Sequence, residues 1–413
     1  MTLTERERER GRWRLTVHHR DFTGGAPASS TGVAELIDAR SRRLETKANE
    51  SDTLTFTMDG RSPACAYIQE LTTDIYAWRD DDDGNEQLMF RGIVAQAQDE
   101  VTEQTYTVNF TCHDYLAMLG RRYLTAPADV VFTQTDQDDI VALLLNGAIN
   151  ATSGDGGTSF APGSSLPLAI ALVNPDGTPR ARSGVLRDRT YKGGSSIGQL
   201  ISDLAAVRGG FDFDCHPNAD GPDQLRVFYG AQGVARTDLV LAYGSTVAGF
   251  SRTVNSTDYA NYQRTIGDVA GAEDGPQLIA EAWTDDANDV GEVPIGLWMS
   301  GSNASDVSQS DTLTEKVRGD LDISSLLVPS YSLTMAPDAF APGKPSMGDT
   351  VPLVLAPTNG RLSVDTTARV LGITYVIGDD DQEDVELTVG RPAVALTALF
   401  QETARDVNAL ARR

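Results

Sequence analysis

Between residues 43 and 124 the chain alternates apolar and polar residues with a period of two, and this rhythm limits what it can fold into. Leu54, Phe56 and Met58 alternate with Thr53, Thr55 and Thr57, and Tyr106, Val108, Phe110 and Cys112 alternate with Thr105, Thr107, Asn109 and Thr111. Successive side chains of a strand point to opposite sheet faces, so these segments are half-buried antiparallel strands. The acidic turn Asp99-Glu100-Val101-Thr102-Glu103 joins two of them as a hairpin. Asp114 is placed to cap a short amphipathic helix carrying Leu116, Met118 and Leu119. The expected unit is a small barrel or sandwich closed by that helix. Its polar residues do not cluster as a catalytic site would.

At 413 residues the chain needs two to four domains, and its 38 Gly and 18 Pro suit a turn-rich β protein. A net charge of −25 argues against gripping a nucleic-acid backbone, which needs Lys and Arg, and suits a surface that DNA passes without sticking. Only Lys47, Lys192, Lys316 and Lys344 stand among the 34 basic residues, a bias that a GC-rich genome or a halophilic source would each produce. Cys65, Cys112 and Cys215 are scattered without a CxxC pair, so reduced thiols are expected rather than disulfides or a zinc site. MTLTERERERGRWRL has no apolar signal region, and no run approaches the roughly 20 apolar residues of a membrane span. A soluble protein made in a cytoplasm is expected.

Each sharper motif has a plainer reading. His18 and His19 are adjacent on a strand candidate and point to opposite faces, which opposes chelation. Residues 80–84, DDDDG, resemble a calcium loop, but with Gly84 at the sixth position Arg79 stands where the first Asp belongs and Phe90 where the bidentate Glu belongs. A solvated hairpin tip fits better there, and at residues 378–381. GGSSIG at residues 193–198 lacks the GK[ST] of a phosphate loop, and no apolar strand precedes it. Cys112-His113 and Cys215-His216 are neighbours in sequence, which is not the geometry of a nucleophile and its base. No catalytic, metal or cofactor-binding residue is therefore expected, and no cofactor.

Past Leu124 the texture becomes α+β. Residues 136–150 read as a helix with an acidic start, and 151–165 as a Gly/Ser/Thr loop. Ser195 or Ser196 caps a helix carrying Ile197, Leu200, Ile201 and Leu204; Gly209-Gly210 ends it, and FDFDC and QLRVFYG follow as a hairpin. From Leu239 β texture returns, broken by a polar helix at 308–321. RVLGITYVIGDDDQEDVELTVG repeats the layout of RGIVAQAQDEVTEQTYTVNFTC: a strand starting at Arg, an acidic turn, an alternating return strand. Residues 392–413 form a helix with Leu396, Phe400, Thr403, Val407 and Leu410 in an imperfect heptad seam, to dock on its own barrel or on another chain.

The order DTLTFTMDGRSPACAYIQEL, TDIYAWRD, LMFRGIVAQAQDE and YTVNFTCHDYLAMLGRRYL resembles the first domain of the baseplate hub (minor tail) proteins of long-tailed, siphovirus-type phages, particularly those of actinobacteria. Arg189-Thr190-Tyr191, Gly209-Gly210-Phe211 and Phe228-Tyr229-Gly230 extend the resemblance through the middle of the chain. It implies a mainly β protein with an α+β insertion: a tube-like β-barrel domain at residues 1–125, an α+β domain at 126–240, a second tube-like β-barrel domain at 241–392 and a C-terminal amphipathic helix at 393–413. It implies a structural, non-enzymatic virion protein of the tail tip, made and assembled in the host cytoplasm. Its ring, a homotrimer, would join a distal tail protein or the tail tube above to spike, fibre or other minor tail proteins below. A tape measure protein would occupy the lumen, and DNA would leave through it without specific binding. Two other classes compete: a β-rich carbohydrate-binding tail module with Trp78, Trp283 and Trp298 as its platform, and a tail-associated cell-wall hydrolase, for which no spaced constellation stands in the sequence.

Overall fold

The computed structural model describes residues 13–19, 31–80, 85–125, 129–149, 166–207, 209–254, 256–257, 259–269, 276–284, 296–304, 307, 309–325, 329–337, 339, 344–357, 360, 362–379 and 382–390. The 393–413 helix and most of the two DDD runs lie outside them.

The chain opens with β1 (Trp13–His19), β2 (Thr31–Glu35), β3 (Arg40–Lys47), β4 (Thr53–Asp59), β5 (Thr73–Asp80), β6 (Glu86–Val101), β7 (Tyr106–His113) and the one-turn helix α1 (Leu116–Leu119). The alternation read from sequence sets the faces: Leu54, Phe56 and Met58 of β4 and Val108, Phe110 and Cys112 of β7 are buried, and the Phe56 and Phe110 rings stack at 5.1 Å. Burying a large apolar side chain stabilises by about 1.5–3 kcal/mol, so this stripe holds the two strands in register.

The middle of the chain holds β8 (Val130–Asp136), α2 (Gln137–Ile149), β9 (Leu168–Val173), β10 (Leu186–Tyr191), α3 (Ile197–Ala205), β11 (Phe211–His216) and β12 (Asp223–Tyr229). The expected β11–β12 hairpin forms, and β9, unread in the sequence, adds to it parallel to β12. Leu116 and Leu119 of α1 belong to this core, with Ile197, Leu200, Ile201 and Leu225, and not to the first sheet. The helix expected to close a barrel docks instead on the neighbouring unit, because its apolar face meets α3 there.

The remainder is β13 (Leu241–Ala242), β14 (Val247–Val254), β15 (Tyr262–Val269), β16 (Gln277–Trp283), β17 (Met299–Ala304), α4 (Ser310–Ser324), β18 (Pro329–Met335), β19 (Thr350–Leu355), β20 (Val364–Ile377) and β21 (Glu383–Gly390). β15, β16 and β17 form a small sheet whose Ala280, Ala282 and Ala304 pack on Leu313, Val317 and Leu321 of α4.

The protein is mainly β, with several sheets. The first and last parts of the chain share one 13-stranded sheet, ordered β14-β18-β21-β20-β3-β4-β7-β6-β5-β1-β2 with β19 and β13 beside β20, and one hydrophobic core. It is not a closed barrel. The sheet curls until Trp13 of β1 meets Tyr375 of β20, ring centroids 5.4 Å apart, but this meeting is made by side chains.

Within that sheet one five-stranded pattern occurs twice. The order β3-β4-β7-β6-β5 repeats as β14-β18-β21-β20-β19, every neighbour antiparallel. Ile93 is the last residue of β6 paired to β5 and the first paired to β7; Arg369 holds the same position between β19 and β21. Each long strand then carries a bulge, between Val94 and Gln96 and between Val370 and Gly372. Leu54-Thr55-Phe56-Thr57-Met58 matches Tyr331-Ser332-Leu333-Thr334-Met335, buried residue for buried residue. Arg369 thus corresponds to Ile93 and not to Arg91, as the sequence layouts had paired them. The flanking strands differ, since β1 runs antiparallel to β5 and β13 parallel to β19.

Candidate functional site

The residue pairs that could have carried chemistry are held apart or put to structural use. His18 stacks on Tyr76 with centroids 3.8 Å apart and its Nε2 lies 2.8 Å from Thr16 Oγ1, while His19 is exposed on the other face. Cys112 and Cys215 are buried, and desolvation pushes both thiols well above their ordinary range, which suppresses the reactive thiolate. His113 Nδ1 lies 3.2 Å from Thr53 Oγ1. Among the described residues no group of three His, Cys, Asp or Glu is placed to hold a metal. Trp78 lies on β5 of the large sheet, whereas Trp283 and Trp298 lie on or beside the small β15–β17 sheet. They do not form one platform.

The Gly-Ser turn before α3 serves packing. Ser196 accepts from Gln199 N at 3.4 Å as the N-cap and donates from Oγ to Gly120 O at 3.0 Å. A Cβ on Gly198 would stand 2.7 Å from Gly120 N, so glycine is needed where α3 crosses the end of α1. At the other end, Gly209 adopts φ +69° and Arg187 Nη2 donates to its carbonyl at 2.9 Å.

The densest polar constellation lies where the α+β unit meets the large sheet. Asn49, left-handed at φ 61°, donates from Nδ2 to Asp212 Oδ1 at 2.9 Å and accepts at Oδ1 from Phe213 N at 2.6 Å. Asp212 Oδ2 receives the Arg369 guanidinium and Gln232 N. Arg91 donates to Gly221 O at 2.8 Å and Asn218 O at 3.1 Å and pairs with Asp223 at 3.3 Å. Asp114 binds Ser51 Oγ at 2.6 Å, Asp52 N at 3.0 Å and Leu116 N at 3.0 Å. Burial dominates the acids. It raises Asp114 to about 6 against those hydrogen bonds, and Asp223 to about 7 against Arg91. Asp52 is raised by burial and by Asp114 beside it. Asp223 Oδ2 has no hydrogen-bond partner among the described residues. Every group faces another element of the same chain, so the constellation is a joint.

The joint could not be found from sequence. Asn49, Arg91, Asp212 and Arg369 are far apart in the chain, and no local spacing links them.

The fold is shared with solved phage-type tail proteins. The chain is similar to the tail protein from Neisseria meningitidis MC58 at 12% identity, covering 93% of this chain and 98% of that one, with a TM-score of 0.54. It is similar to the 43 kDa tail protein of prophage MuSo2 from Shewanella oneidensis at 13% identity, covering 92% and 98%, with a TM-score of 0.55. With prophage tail protein gp18 from Listeria monocytogenes EGD-e it shares 12% identity over 96% and 99%, with a TM-score of 0.52. At such identities the likeness is one of fold. No protein-family model and no curated protein matches the sequence.

Proposed function

We propose that the chain is a structural, non-enzymatic protein of a phage-type tail, standing at the tail tip as a baseplate hub. The observation that carries this reading is the duplicated five-stranded unit in a chain sharing its fold, end to end, with prophage tail proteins. Three chains in a closed ring would present six equivalent units, the number needed to stack on a sixfold tube. On this reading residues 1–125 and 241–392 are the two tube-like domains and 126–240 the intermediate domain. The ring receives a distal tail protein or the tube on one side and spike, fibre or other minor tail proteins on the other. A tape measure protein and then DNA pass through the bore. The motif order supports a siphovirus-type phage of actinobacteria as the source of the virion.

The chain's charge suits this role. DNA presents about one negative charge per 1.7 Å of duplex axis, so a basic bore would retain it, whereas an acidic one lets it slide. The β6–β7 and β20–β21 turns are equivalent in the two units, and each is acidic: Glu100 and Glu103 are exposed in one, and Asp379 in the other. Six such tips would recur around the ring. Reconstruction of the tail tip tests the proposal: a threefold ring on the tail axis with an acidic wall is expected. A subunit standing off the axis, or an Arg-lined bore, would refute it.

A further inference from the structure

β20 uses one edge twice. Its first half pairs with β19, Thr350 facing Arg369, and residues 372–377 pair on the same edge with β3, Gly372 facing Lys47 and Ile377 facing Arg42. This second pairing is the joint between the two repeated units. β6, the equivalent of β20, pairs with β5 only as far as Ile93 on that edge, and Leu71 N donates to Val94 O at 2.9 Å just beyond. Among the described residues no strand lies along the same edge of 96–101. Among the described residues β14, the equivalent of β3, is paired along 249–254 with β18 alone. Among the described residues each chain therefore carries one completed joint and the two halves of a second.

We propose that β14 of one copy of this chain adds antiparallel to residues 96–101 of β6 in the next copy, repeating between chains the β3–β20 joint made within each. This deepens the ring reading above and rests on it. The register follows from the repeat. Thr55 and Ser332 correspond, so Arg43 and Ser251, which face them, correspond too. The completed joint sets Tyr375 against Leu44 and Ile377 against Arg42. Its equivalent sets Asp99 against Arg252, Val101 against Phe250 and Ala97 against Val254, all on one sheet face.

The chemistry of that face fits the register. Asp99 and Arg252 are opposite charges, and directly opposed cross-strand charges attract. Among the described residues Arg252 has no carboxylate partner. Val101 is 69% and Val254 41% exposed, and the pairing would cover both. The open backbone groups of both strands would also find partners, removing the hazard of an unpaired edge.

Charge reversal tests the pair on the full chain by sedimentation. The wild type is expected to oligomerise. D99R and R252D are each expected to weaken association by roughly tenfold or more, and the double reversal to restore it. Gln98 falls opposite Thr253 in this register, so Gln98→Cys with Thr253→Cys, in a Cys65→Ser background, should give oxidised chain-to-chain species that either cysteine alone does not. An oligomer indifferent to both reversals and uncross-linked would overturn this edge while leaving the ring standing. A chain monomeric at every concentration would overturn both. A β14 edge captured only by a different tail protein would refute the second-copy assignment.

Discussion

Arg79 on β5 and Glu383 at the start of β21 form a two-point ion pair, Nε to Oε2 at 2.7 Å and Nη2 to Oε1 at 2.6 Å, although five strands lie between β5 and β21 along the sheet. Trp13 Nε1 also donates to Glu383, and the guanidinium lies 5.4 Å from the Tyr375 ring centroid. The pair fastens the curled sheet where no backbone ladder does.

Because the Arg79 and Glu383 side chains are only 6% and 5% exposed, removing one charge strands the other. Glu383→Gln is expected to lower unfolding free energy by about 3–5 kcal/mol, and the apolar double replacement Arg79→Met with Glu383→Leu by much less. Urea denaturation of the variants compares the two losses. Equal losses would mean that packing, and not the buried charge, is what matters there.

The joint acids set a pH dependence. A carboxyl whose folded pKa lies above its unfolded value holds its proton more tightly in the folded state. It therefore supports folding fully below the unfolded pKa and loses that contribution as pH rises through the folded one. Asp114, moved from 3.8 to about 6, and Asp223, moved from 3.8 to about 7, thus predict stability falling as pH rises from about 4 to 7. Asp114→Asn should flatten that slope between about pH 4 and 6. Denaturation midpoints across the range read it, and a slope unchanged in the variant would remove Asp114 as its source.

Gly198→Val should destabilise by about 1–3 kcal/mol, since its side chain would press on the Gly120 backbone, and should lower the melting temperature. Phosphate or nucleotide is expected to leave the melting temperature of the wild type unchanged. A rise with added nucleotide would return the GGSSIG turn to the status of a ligand loop.

Purified protein is expected to carry no stoichiometric zinc or calcium and to leave peptidoglycan uncut. Elemental analysis and a turbidity assay check this. Cleavage abolished by changing a single Asp or Glu would make the chain a hydrolase.

Much of the β architecture was legible because its cause is local. Alternation at Leu54, Phe56 and Met58, and at Val108, Phe110 and Cys112, depends only on the two-residue period of a strand, and Gly209, at φ +69°, turns the chain just past the end of α3. The sequence also determined the acidic balance and the lack of any ligand spacing. Tertiary structure alone decided where the strands went. β3 pairs with β20 across more than three hundred residues, α1 leaves its own strands for α3, and β9 slips in parallel to β12. The equivalence of Ile93 with Arg369 was hidden for the same reason: strand pairing is fixed by backbone hydrogen bonds and shared burial, which leave residue identity free. An arginine in one unit can therefore stand where the other has isoleucine, once Asp212 is brought from the far side of the joint to meet it.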